Sequence, residues 1–380
     1  MNYSKLENET EESYIKRICA RKFVDGLSWE AVADILNDEL GHSYSESHYR
    51  KKYGNVKAIK SSRKSRDRYD VMDKVKIQDE RSQAMAALRR MSREETLLEI
   101  AKEVADKLAT SKPFITIPPH EIKNTSKKAI LQLSDWHYGI EIKNTWNKYD
   151  ESIAISRLGK LCENVSEVLR KENIDELYIT NLGDLISGRI HETIRIQNRI
   201  DVVTQALEVS EIVAEILDSF SKNHKVYYIS CSDNHSRLEP KKELSLELES
   251  FTRVIDYILK IRMKGNPNVE ILESPFGSDI AQFTVFNYTI GAVHGHKDSP
   301  KSIVQNISLV TRKSYDMILS AHLHHFNCDE LNNTLVVSNG SLMGVDDYAD
   351  TLRLTNRPSQ NLIIVSEDNV AESIRRIFVD

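Results

Sequence analysis

Asp135 and His137 stand two residues apart at the end of a short apolar run, Ala129-Ile130-Leu131-Gln132-Leu133. A run of this kind reads as a buried strand of an α/β protein. Side chains i and i+2 of a strand point to one side. The carboxylate and the imidazole are therefore expected to face one point past the strand's C-terminal edge, where open α/β sheets bind ligands. Such a pair can hold a metal ion. One Asp-x-His triplet alone says little, since most are surface accidents. Four more runs end in the same way. Tyr178 to Leu182 leads into Gly183-Asp184, and Val226 to Ser232 leads through Asp233 into Asn234-His235. Tyr288 to Val293 leads into His294-Gly295-His296, and Met317 to Ala321 into His322-Leu323-His324. Chance and core packing do not explain five strand ends that deliver Asp, His and Asn in order.

The elements that must position these ends follow from periodicity. Apolar residues at helical spacing predict helices over 151–171, 200–222 and 241–263. Alternating or short apolar runs predict strands over 269–273, 280–286, 287–293, 316–321, 334–338, 361–366 and 375–379. Strands that alternate with helices early and cluster late predict an α/β fold of two packed mixed β-sheets flanked by helices. That catalytic domain is expected to span 127–380.

Ahead of it, residues 1–60 read as a small all-α domain. Glu11 to Val24 is a first helix ended by Asp25-Gly26. A second begins at the N-cap Ser28 and puts Trp29, Val32, Ile35, Leu36 and Leu40 on one face. After the turn Gly41-His42-Ser43, a third starts at Ser45 and carries Arg50, Lys51 and Lys52. The arrangement resembles a helix-turn-helix DNA-binding module, with those three residues facing phosphates. The other reading is a small helical domain with a solvated basic face. Residues 61–126 form a charged linker. Its apolar residues, spaced by three and four over 63–109, predict a long amphipathic helix, either packed on its own domain or forming the coiled-coil seam of a homodimer. Lys112-Pro113 to Pro118-Pro119 then breaks the helix.

The chain of 380 residues is 40% hydrophobic, enough for a sizeable core. Its net charge of −5 leaves no global attraction to nucleic acid, so any basic surface is local. The four cysteines are far apart and form no Cys-x-x-Cys, which suits reduced thiols and a cytoplasmic location rather than disulfides or a thiolate metal site. No run approaches membrane-spanning length, so no membrane partner is expected.

Taken in order, the five endings resemble the calcineurin-like metallophosphoesterase superfamily: Asp-x-His, Gly-Asp, Asn-His, a His in a His-Gly element, then His-x-His. Three positions depart from its pattern. Asp233 stands where a Gly precedes Asn-His, Ser236 where an acid follows it, and Ala321 where the final Gly is found. The resemblance implies a four-layer sandwich and two divalent metal ions, Mn²⁺ foremost, with Fe or Zn²⁺ as alternatives. It implies that Asp135, His137, Asp184 and His324 hold one ion and that Asp184, Asn234, His294 and His322 hold the other. Asp184 would bridge them, as a group with two usable oxygens can. It also implies His235 as the general acid, facing the phosphate. His296 is either a support to the ligands or a substrate contact. Arg189 and His191, on the loop after Asp184, either touch a phosphate or are an exposed pair. Ser338-Asn339-Gly340-Ser341 resembles the turn that closes such sites.

These motifs imply phosphoester hydrolysis without fixing the substrate. The basic helical module makes a DNA nuclease the most economical reading, resembling the superfamily's DNA repair exonuclease branch and suiting phage or bacterial DNA processing. The alternatives are a phosphatase or phosphodiesterase acting on nucleotides or other small phosphoesters, and a non-catalytic DNA-binding protein.

Overall fold

The computed structural model describes residues 3–54, 113–119, 126–190 and 192–380. Its chain divides into two compact units, residues 1–93 and 94–380. In the first, Thr10 caps α1 (Glu11–Asp25), which stops at Gly26 with φ 74°. Ser28 caps α2 (Trp29–Leu40), stopped at Gly41 with φ 67°. A third helix, α3 (Glu46–Tyr53), starts after Ser45. Tyr14, Ile18, Val32, Leu36, Tyr49 and Tyr53 share one small core. Burying Tyr49 and Tyr53 leaves Arg50, Lys51 and Lys52 exposed. The long helix expected over 63–109 lies outside the described residues.

The second unit is the expected sandwich. Its first sheet contains β1 (Lys127–Leu133), β4 (Glu176–Asn181), β5 (Lys225–Ser230), β6 (Val269–Ile271), β12 (Ser359–Ser366) and β13 (Asn369–Phe378), in the order β13-β12-β1-β4-β5-β6. Its second contains β7 (Ala281–Val285), β8 (Tyr288–Ala292), β9 (Met317–Ser320), β10 (Asn327–Leu331) and β11 (Thr334–Ser338), in the order β10-β11-β9-β8-β7. Strand alternation divides the side chains. From β1, Ala129, Leu131 and Leu133 join α4 (Glu151–Glu172), α6 (Val202–Ser221) and α7 (Phe251–Met263) in the outer core. Ile130 turns the other way and meets Ile290, Met317, Leu319 and Val337 of the second sheet. The far face of that sheet, with Ile318 and Val336, is covered by Ile303, Val304 and Ile307 of α8 (Ile303–Thr311). The layers run helix, sheet, sheet, helix.

Several expectations need correction. Helix α7 begins at Phe251, not near 241. Leu244, Leu246 and Leu248 recur with period two, which no helix face matches, and all three are exposed. Ser250 then caps the helix through Thr252 N. The strand pair β10–β11 was half hidden because β10 is an exposed edge whose polar residues carry no apolar signal. The short hairpin of β2 (Ile142–Lys143) and β3 (Lys148–Tyr149), with α5 (Glu192–Gln197) and α9 (Asp347–Thr351), is likewise new. Finally, residues 113–119 are no free linker. Ile115 and Ile117 are buried in the outer core, and Ile115 N donates to Glu215 Oε1 at 3.0 Å. No helix among the described residues is long and apolar enough to cross a membrane.

Candidate metal centre

The candidate ligands come from the C-terminal ends of strands, but not through strand alternation. Strand β1 ends at Leu133, and Asp135 and His137 both adopt left-handed backbone, with φ 51° and 46°. Asp184, His322 and His324 do the same, with φ 53°, 69° and 60°. Left-handed backbone is uncommon outside glycine, though Asp and His adopt it more readily than most, and five such residues at one site are held there by their surroundings. Here adjacent ends hold each other. Asp135 N donates to Gly183 O at 3.1 Å and His137 N to Asp184 O at 3.0 Å, while Ala321 N donates to His294 O at 2.9 Å. The turns, not the strand pleat, aim the side chains.

Three groups of side chains meet: Asp135, His137 and His324; His137, Asp184 and His235; and Asp184, His294 and His322. Within each, the potential ligand atoms lie within 4.8 Å of one another. His137 Nε2 is 3.1 Å from His324 Nε2, and His294 Nε2 is 3.1 Å from His322 Nδ1. Asp184 links the groups. Its Oδ2 is 3.1 Å from His294 Nε2, 3.8 Å from His235 Nε2 and 4.0 Å from His137 Nε2. Its Oδ1 accepts the His235 backbone N–H at 3.1 Å. Oδ2 is thus the oxygen that faces imidazoles of more than one group.

The residues fit divalent cations. All donors are carboxylate or amide oxygen and imidazole nitrogen, without thiolate. Asn234 Oδ1 is buried and accepts no hydrogen bond among the described residues, which is costly for a polar atom unless a cation serves it, and Asp135 Oδ1, also buried, meets only His324 Nε2 at 3.4 Å. Supporting bonds orient the ligands. Ser134 Oγ donates to Asp135 Oδ2 at 2.7 Å, and His294 Nδ1–H to the Leu182 carbonyl at 2.7 Å, turning Nε2 inward. Burial would raise the Asp184 carboxyl, but His235, His294 and His137 hold it well below the usual carboxylate range. Burial would lower His294, but Asp184 pushes it up to about 10.

The other expected site residues divide. His235 enters the cluster, its Nδ1–H donated to the Ser187 carbonyl at 2.6 Å. His296 lies beside it, its ring 5.4 Å from that of His294, and burial lowers its pKa to about 3. Arg189 is outside: its guanidinium donates to the Leu238 carbonyl and ties two loops together. His191 lies outside the described residues. Arg50, Lys51 and Lys52 belong to the first unit.

Sequence reasoning missed the groups that brace the ligands. Asp233, before Asn234, ties down the loop that carries Asn234 and His235: it accepts from Ser236 N at 2.6 Å, Ser236 Oγ at 2.9 Å and Thr252 Oγ1 at 3.0 Å. The residue before Asp184 must then be glycine, since a Cβ on Gly183 would come 2.4 Å from Asp233 Cβ. A buried polar seam joins the two sheets beneath Asp135. Gln360 Oε1 accepts from Ser134 N at 2.9 Å, Asn339 Nδ2 donates to Ser134 Oγ at 2.9 Å, and Ser341 Oγ donates to the Asp135 carbonyl at 3.0 Å. Polar residues inside apolar strands, Gln132, Gln360 and Asn361, were the signal for it.

Residues 1–68 match the family of the YonJ N-terminal domain. Among solved structures, an archaeal phosphodiesterase aligns over 66% of this chain and 99% of its own at 14% identity, with a TM-score of 0.34. The hypothetical protein PH1004 of Pyrococcus horikoshii OT3 aligns over 66% and 88% at 15% identity, TM-score 0.36. Zinc-complexed Vps29 of Entamoeba histolytica aligns over 66% and 99% at 12% identity, TM-score 0.31. At scores this low, fold and chemistry rest on the chain's own layers and residues. The SPbeta prophage-derived uncharacterized protein YonJ of Bacillus subtilis (strain 168) is 30% identical over 375 residues, which span 92% of this chain and 91% of the relative. Identity at that level along nearly the whole of both chains puts this protein in the YonJ family.

Proposed function

We propose that the chain is a dinuclear metal-dependent phosphoesterase that cuts phosphodiester bonds in DNA. One observation carries the reading: Asp184 Oδ2 faces imidazoles of two ligand groups at once, 3.1 Å from His294 Nε2 and 4.0 Å from His137 Nε2. In this reading Asp135, His137, Asp184 and His324 hold one divalent ion, and Asp184, Asn234, His294 and His322 hold the other. Mn²⁺ is the favoured occupant, with Fe or Zn²⁺ as alternatives. Two ions held there would polarise the phosphoryl oxygens and allow water to act as nucleophile near neutral pH.

The chain's own groups do the rest. Asn234 contributes a neutral oxygen, so the site keeps positive charge for an anionic substrate. His235 donates Nδ1–H to the Ser187 carbonyl, which fixes the ring and leaves Nε2 to hold the second proton. As the water oxygen bonds to phosphorus and the ester P–O bond breaks, that proton passes from Nε2 to the departing oxygen, while the proton given up by the attacking water goes to solvent, from which Nε2 is reprotonated. DNA as substrate is supported by the first unit, whose α3 follows the Gly41 turn with Arg50, Lys51 and Lys52 exposed. The prophage origin of the YonJ relative agrees with processing of phage DNA.

The test is incubation of the purified chain and Mn²⁺ with labelled single- and double-stranded DNA, a simple phosphodiester and a phosphomonoester. Cleavage of DNA and of the simple diester is expected. Hydrolysis of small phosphoesters without DNA cleavage would replace the nuclease with a small-substrate enzyme. Metal binding with no hydrolysis at all would leave only a binding protein.

A further inference from the structure

A cavity of about 190 Å³ adjoins the candidate metal centre, with His294 in its wall. It lies between the loop that follows β8, the start of β7 and helix α8. That volume is below the roughly 300–1,000 Å³ of a site for a drug-sized ligand, so it takes one ring system rather than a whole substrate. Its lining is apolar at Ile280, Val293, Ile307 and Val310. Its polar groups are unsuited to a second phosphate. Lys297 is neutralised by Asp279, at 2.7 Å from Nζ to Oδ1. Asp298 accepts from Asn306 Nδ2 at 2.8 Å and has no cation against it among the contacts of the described residues. The two carboxylates against one ammonium repel an anion and accept hydrogen bonds from N–H groups. His296 adds an aromatic ring to the wall nearest the metal ligands.

An uncharged planar ring with apolar faces and N–H donors at its edge satisfies all of these features. We propose that the cavity receives the nucleobase of the nucleotide whose phosphate lies at the metal centre. The inference rests on the phosphoesterase reading above and narrows its substrate to nucleotidyl phosphates. A base inside a duplex cannot reach such a cavity without leaving the stack, so the strand is read unpaired.

Calorimetric titration of the Mn²⁺-loaded full chain tests the proposal. The ligands are inorganic phosphate, phenyl phosphate and the four deoxynucleoside monophosphates. At least one nucleoside monophosphate is expected to bind about tenfold or more tightly than both inorganic and phenyl phosphate. Val310 is 74% exposed, so Val310→Trp can plug the cavity from the surface without disturbing the core. It should abolish that preference and leave inorganic phosphate affinity unchanged. Leu309→Trp, on the adjacent position with 69% exposure and outside the cavity, should keep the preference. Nucleotides that bind no better than phenyl phosphate, or a preference that survives Val310→Trp, would overturn the inference while phosphate binding leaves the phosphoesterase reading standing. If inorganic phosphate does not bind and a methyl 4-nitrophenyl phosphate diester is not hydrolysed, both fall together.

Discussion

At the scale of single residues, the site turns on Asp184 and His235. Among the described residues, Asp184 is the only carboxylate that joins the groups of His137 and of His294 and His322. Asp184→Asn should therefore lose most bound metal and nearly all hydrolysis while the far-UV spectrum stays native. Two metals per chain retained in elemental analysis would disprove the shared role. His235 is different, because its ring is fixed by Ser187 and its Nε2 is 3.8 Å from Asp184 Oδ2, close enough to ligate as well as to give a proton. As a general acid, its removal in His235→Ala should keep both metals and cost roughly 10²–10⁴ in rate. The loss should shrink for esters with good leaving groups, which need no proton. A uniform loss together with one missing metal would make His235 a ligand instead.

At the scale of elements, the loops between strands and helices carry the constraints. Gly188, with φ 68°, lies against the loop that bears His235, and a Cβ there would stand 2.0 Å from the His235 carbonyl oxygen. Gly188→Ala should displace His235 and lower both activity and melting temperature, with a backbone strain alone of about 1–3 kcal/mol. Gly265→Ala, which meets nothing within 4 Å, is the control and should stay within about 0.5 kcal/mol of wild type. A native-like melt and rate for Gly188→Ala would show that the loop yields freely. The contact of α7 with β5 is a second such point. Burial pushes the Asp256 carboxyl up to about 6, against the bonds it accepts from Ser230 Oγ at 2.6 Å and Tyr228 OH at 3.4 Å. A raised pKa means that the folded chain holds the proton more tightly. The stabilisation is therefore complete below the ordinary Asp value and lost as pH rises through about 6. Asp256→Asn should not lose it, so in chelator its stability should gain on wild type between about pH 4 and 7, by on the order of 3 kcal/mol, read as a melting temperature that rises relative to wild type. Parallel curves for the two proteins would remove Asp256 as the cause.

At the scale of the whole molecule, the two units are expected to divide binding from chemistry. If α3 meets DNA, changing Arg50, Lys51 and Lys52 together to Ala should weaken DNA binding. It should also flatten the dependence of log affinity on log salt by roughly two to three units, at about 0.9 per lost phosphate contact. Hydrolysis of a simple phosphodiester should continue at the wild-type rate, because all of the candidate ligands belong to the second unit. A triple variant that binds and cuts DNA as wild type does would make the basic helix a solvated face.

What the chain made legible by itself was local. Apolar runs, the cap Ser28 and the stops at Gly26 and Gly41 depend on neighbours a few residues away. So does the delivery of Asp135, His137, Asp184, Asn234, His294, His322 and His324 to the ends of strands, from which a metal centre could be inferred. Tertiary structure decided how those ends meet. The left-handed turns at Asp135 and Asp184 suit Asp better than most residues, but it is the neighbouring strand ends that hold them. The seam of Gln132, Asn339, Gln360 and Asn361 exists only once the two sheets face each other, because buried polar groups are tolerated only with partners. The contact of His137 with His324 closes 187 residues of chain. Such a pairing leaves no periodic trace in sequence, and it forms only when sheet-on-sheet burial compensates the entropy of closing that loop.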